Sequence, residues 1–212
     1  MAIDLKGLRS QTTVMIDKKT FELMRQKLEA FDYAREELIK KSRDILKESK
    51  KAIYALHRED LASAAAALRV AKSRIKEAES LVKGDKHLAM IGAYAEALEE
   101  YVEASCYYGW ASEKRLFSPK ELGVDIDIYL LGLCDMVGEL VRKAINSVIK
   151  GNERSALEIK AFVEGIHEQL TLFDFRNQPL RKKFDSLKYG LEKLEDLALK
   201  LRLKGRSRGR KK

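Results

Sequence analysis

The stretch Ile126–Val141, IDIYLLGLCDMVGELV, is apolar on nearly every side of a helix and yet contains Asp135 and Glu139. A helix on a solvated surface shows one apolar stripe and a polar back, so a helix of this composition is enclosed by other helices. Asp135 and Glu139 are i and i+4 and share a face. Gly132 and Gly138 lie near that face, where missing side chains admit another helix or a ligand. Burying an unpaired carboxylate costs several kcal/mol, so a cation, a proton or water must meet these two. Arg142 stands at i+3 from Glu139, whereas Asp135 has no such partner on its own helix.

The flanking segments carry the same periodicity. Leu23, Leu28, Phe31, Leu38, Ile45, Ile53 and Leu56 recur at helical spacing and predict one long amphipathic helix over 18–57. An alanine-rich helix is expected over 60–83 and a third over 86–115. Ser118-Pro119 opens a short turn by the N-cap and N1-proline rule. Further helices are expected over 125–150, 153–172 and 179–204. No segment alternates apolar and polar residues between turn signals as a strand does. The expected fold is all-α, a bundle-like domain of six or seven helices over residues 1–204, followed by a flexible basic tail at 205–212.

Composition narrows the partners. The 212 residues hold 42 Lys and Arg against 33 Asp and Glu, a net charge of +9 that favours a polyanion. Two cysteines, Cys106 and Cys134, lie in apolar helical runs and read as buried thiols of a reducing compartment. The N-terminal residues lack a signal-peptide core and no segment offers ~18 uncharged apolar residues, so a soluble, cytoplasmic protein without membrane contact is expected.

Against that basic background, EEYVEASCYYGW (Glu99–Trp110) is anomalous, because no Lys or Arg occurs between His87 and Glu113. A solvated helix face mixes Glu with Lys at i,i+4. Glu100 and Glu103 are i and i+3, point away from the stripe of Ile91, Tyr94, Leu98 and Val102, and stand among Ala93, Ala97 and Ala104. Two helices with paired acids, packed together, form an oxygen-lined pocket suited to a hard cation such as Mg²⁺. ExxE and DxxxE pairs more often mark wet surfaces, but the absence of bases and the apolar setting favour the pocket.

EYVEA (Glu100–Ala104), DIYLLGLCDMVGELVRKAINSV (Asp127–Val148) and KKSRDILKESKKAIYALHR (Lys40–Arg58) closely resemble the factor X branch of the translin superfamily. FRNQPLRKKFDSLKYGLEKLEDLALKLRLKG (Phe175–Gly205) is closer to the translin branch. Most of the chain is covered, in order and spacing. The resemblance implies an all-α subunit of a hollow, roughly octameric shell that binds single-stranded RNA or DNA. It also implies a Mg²⁺-dependent endoribonuclease (Mn²⁺ as an alternative metal), working through carboxylates on the shell's interior. Carried over by position, those carboxylates fall on Glu100, Glu103 and Asp135, with Glu139 in support; all four are present. The family's first basic region falls near 68–76, on Arg69, Lys72, Arg74 and Lys76, as nucleic-acid contacts. Its second falls on LAMIGAY, which has no bases, so this chain departs from the pattern there. A homo-oligomer is expected, with a second family member as a further partner.

Two other readings compete. A translin-like scaffold would bind single-stranded RNA or DNA without cleaving it, and the four carboxylates argue against it. A di-iron bundle needs two Glu-x-x-His pairs, and the chain has one, Glu164 with His167. Tyr101, Tyr107, Tyr108 and Trp110 suit base stacking or, with greater weight, core packing.

Overall fold

The computed structural model describes residues 17–176 and 178–209, with side-chain surroundings to residue 204. Seven α-helices occur in the described residues: α1 (Lys18–His57), α2 (Leu61–Gly84), α3 (Gly92–Glu113), α4 (Pro119–Leu122), α5 (Ile126–Ile149), α6 (Glu153–Thr171) and α7 (Gln178–Gly209). No strand occurs among them. Their starts are written in side chains. Asp17, Asp60 and Asn152 each accept a backbone N–H of the first turn, and Ser118 with Glu121 forms a capping box at Pro119.

The helix expected over 86–115 is in fact two pieces. Lys86–Met90 forms a 3-10 turn capped by Asp85, Ile91 is extended, and α3 begins only at Gly92. Asp85 bonds the His87 amide at 2.9 Å and so starts its own turn before the α-helix can nucleate. The basic tail at 205–212 lies outside the residues whose side chains are described.

Helix α5 packs against α3, α6 and α7, and α1 against α2 and α3. Contact on three sides explains why α5 is apolar nearly all round. Gly132 decides how closely α3 approaches, since a Cβ there would meet the Glu99 carbonyl oxygen at 2.5 Å and Val102 Cβ at 2.7 Å. Gly138, two turns on, faces open space. Of the two roles expected for these glycines, Gly132 admits the helix and Gly138 leaves room. Cys106 and Cys134 are free and buried, as expected. The first turns of α1 depart from the expectation of one continuous buried stripe. Leu23 and Leu28 are 54% and 64% exposed, and the buried face starts only at Leu38.

Candidate functional site: a carboxylate pocket

The four acids singled out from sequence line one pocket of 420 Å³, with Glu100 and Glu103 from α3 facing Asp135 and Glu139 from α5. Lys50 of α1 and Ser186, Leu187 and Gly190 of α7 complete the wall. The opening at Gly138 makes the cavity possible, because a side chain there would project into it.

Electrostatics distinguish the four. Glu103 is 8% exposed, and burial, followed by the charges of Glu100, Asp135 and Glu139, pushes its carboxyl up to about 8. Burial also raises Glu100; Lys50 opposes that shift, and Asp135 and Glu139 reinforce it. Glu139 is held below the usual carboxylate range by a hydrogen bond with His57. Through Nε2, His57 donates to Glu139 Oε2 in a short contact, and the Tyr107 hydroxyl lies 3.5 Å from its Nδ1. That pairing fixes the tautomer, since a carboxylate only accepts. Arg142, the partner expected from sequence, stands farther off at 3.7 Å.

Asp135 finds its cation on another helix. Lys183 Nζ of α7 donates to Asp135 Oδ2 at 2.6 Å and to Glu99 Oε2 at 2.8 Å. Neither Lys183 nor His57 was legible as a site residue. Both lie far in sequence from the acids they meet, and the only signals were the basic run RKKF at 181–184 and the lone histidine closing α1.

A hard cation fits this donor set. The wall supplies four carboxylates and one thiol, and burial pushes the Cys134 thiol up to about 12, so it stays protonated and out of competition as a ligand. Among the described residues no three such side chains are already drawn into a coordination cluster. Asp135 is turned to Lys183 and Glu139 to His57.

The predicted basic cluster divides. Arg69 and Lys72 border a second groove, of 360 Å³, with Tyr101, Ser105, Tyr108 and Phe117. Arg74 instead pairs with Glu77 at 2.9 Å, and Lys76 is exposed one turn beyond Lys72. Tyr101, Tyr107 and Trp110 are core residues, whereas Tyr108 is half-buried at the groove. The Glu164–His167 pair is not a metal site: Glu164 pairs with Lys160, and His167 stacks on Phe184 at 5.6 Å.

A model of the translin family matches residues 33–205, which includes every residue of the pocket. The chain belongs to the translin family. Translin-associated protein X of Pongo abelii is 27% identical over an alignment covering 94% of this chain and 82% of that protein. Translin of Gallus gallus is 35% identical over a shorter region, 39% of this chain and 36% of that protein. Among solved structures, apo-NeC3PO superposes with a TM-score of 0.80 at 29% identity, covering 87% of this chain and 97% of that one. AfC3PO in complex with duplex RNA gives the same TM-score at 28% identity, with the same coverage. The translin-family match thus takes in most of the described bundle, residues 33–205.

Proposed function

We propose that this family member is a Mg²⁺-dependent endoribonuclease that binds and cleaves single-stranded RNA. The observation that carries the reading is the convergence of Glu100, Glu103, Asp135 and Glu139 on one pocket. The four carboxylates would hold the metal, directly or through its waters, and Mn²⁺ would serve in place of Mg²⁺. When bound, the metal would supply Lewis-acid polarisation of the scissile phosphate and a more acidic water. Glu103, buried, keeps one ligand oxygen fixed, and His57 orients Glu139. Lys50, at the rim, faces an incoming phosphate. Arg69, Lys72 and Lys76 lie exposed on α2 and supply further phosphate contacts.

The solved relative in complex with duplex RNA supports RNA as the ligand class. Single-stranded DNA is a second ligand of the same charge. The exposed Phe21, Leu23, Met24 and Leu28 on α1 support assembly of the chain into a homo-oligomeric shell of about eight copies, with a second family subunit as an alternative partner. Among the described residues no helix is long and apolar enough to cross a membrane, and the reading places the protein in the cytoplasm. A binding-only scaffold is the second reading, favoured by the partners that Asp135 and Glu139 already have within the protein.

Incubation of the purified chain with labelled single-stranded and duplex RNA, in Mg²⁺ and in EDTA, tests the proposal. Endonucleolytic cleavage of the single strand in Mg²⁺ alone is expected. Binding without cleavage in either buffer selects the scaffold, and cleavage that persists in EDTA removes the metal from the account.

A further inference from the structure

Among the described residues Lys183 is the one cation paired with Asp135, and it bridges two helices from a third. It reaches from α7 to Glu99 on α3 and Asp135 on α5, at 2.8 and 2.6 Å, with a side chain 30% exposed. Asp135 lines the carboxylate pocket, whereas Glu99 lies outside it. One ammonium therefore bridges a candidate metal ligand and an acid that is not one.

We propose that Lys183 is a tethered counter-ion which occupies Asp135 while the metal is absent and withdraws to Glu99 when the metal binds. The inference rests on the metal-site reading above. Charge drives it: the clustered carboxylates need a cation, and a divalent ion that takes Asp135 Oδ2, the oxygen Lys183 holds, displaces the ammonium from it. Geometry allows it. Lys183 already holds Glu99, so leaving Asp135 costs one charge-assisted hydrogen bond and leaves the other in place. A lysine stem has four rotatable bonds, and the required movement is a swing rather than a change of backbone. Lys183 thereby tunes metal affinity downward and keeps α3, α5 and α7 clamped in the metal-free protein. It is a positioning residue and takes no part in the reaction.

The test is Mn²⁺ and Mg²⁺ binding by calorimetry on the full chain, for the parent and for Lys183→Met. Removing the competitor should tighten metal binding by roughly tenfold to a hundredfold, the range set by one charge-assisted hydrogen bond. The same variant in EDTA should melt at a lower temperature than the parent and gain more from added Mn²⁺. The parent itself gives a second readout that needs no variant: acylation of Lys183 by an amine reagent, followed by mass spectrometry, should accelerate when metal is added. If the parent binds metal but Lys183→Met binds it equally or more weakly, or Lys183 labelling is unchanged by metal, the counter-ion role is wrong while the metal site stands. If neither protein binds metal, the metal-site reading fails and this inference fails with it.

Discussion

Glu103→Gln in the metal-free protein isolates the electrostatic cost built into the pocket. Glu103 is 8% exposed, and its carboxyl is pushed from 4.5 up to about 8, chiefly by burial and then by the neighbouring carboxylates. The folded state therefore holds this proton more tightly than the unfolded chain. Stability is then highest below pH 4.5, falls as pH rises between the two values, and levels off above about 8. Each pH interval of one costs about 1.4 kcal/mol, so the penalty is about 3 kcal/mol at pH 7 and on the order of 5 kcal/mol when Glu103 is fully ionised. Glutamine keeps the shape and carries no charge. In EDTA the variant should be more stable than the parent at pH 8, and that advantage should shrink on the order of 3 kcal/mol by pH 5. Urea denaturation at several pH values between 5 and 8.5 measures this directly. Parallel stability curves for parent and variant would refute the reasoning. Added Mg²⁺ should stabilise the parent at pH 8 and leave the variant nearly unmoved.

Three other perturbations separate the parts of the account. Gly132→Ala should destabilise by about 1–3 kcal/mol because its Cβ meets the Glu99 carbonyl at 2.5 Å, whereas Gly138→Leu should fold normally and lose metal binding, as thermal melts and calorimetry would show. Replacing His57 with Ala removes the hydrogen bond that holds Glu139 low; that bond stabilises the fold above the unfolded carboxylate value of 4.5 and is lost as pH falls, so the deficit of the variant should be larger at pH 7 than in acid, where only the lost packing on Tyr107 remains, as denaturation at the two pH values would show. Neutralising Arg69 and Lys72 together should weaken RNA binding at every sequence and flatten the salt dependence of log K by about 1.4, read by fluorescence anisotropy across a salt series.

Most of this architecture is legible in the sequence because helices announce themselves locally. Capping residues and 3.6-residue periodicity depend on neighbours within one or two turns, which is why α1, α5 and α6 lie within a residue of their expected limits. The four pocket acids were legible for a different reason: a carboxylate on an apolar helix, or on a helix without bases, is a local anomaly with a known cost. Their partners were not. Lys183 meets Glu99 across 84 positions and His57 meets Glu139 across 82, and no local rule encodes such distances. The break at Ile91 was missed because Asp85 acts through cap geometry rather than through the apolar pattern, which runs on across the break. Exposure of Leu23 and Leu28 was also invisible, since periodicity identifies an apolar face and not what covers it.

The claim that the carboxylate pocket is where RNA is cut is tested most directly by measuring binding and single-turnover cleavage on the same samples of parent, Glu103→Gln and Asp135→Asn in Mg²⁺. Both substitutions keep side-chain shape and remove one pocket charge. The account predicts cleavage reduced by roughly a thousandfold or more, a loss of several kcal/mol of transition-state stabilisation, with RNA affinity within a few-fold of the parent. Cleavage at the parent rate in both variants would contradict it and leave the protein a scaffold whose chemistry, if any, lies elsewhere.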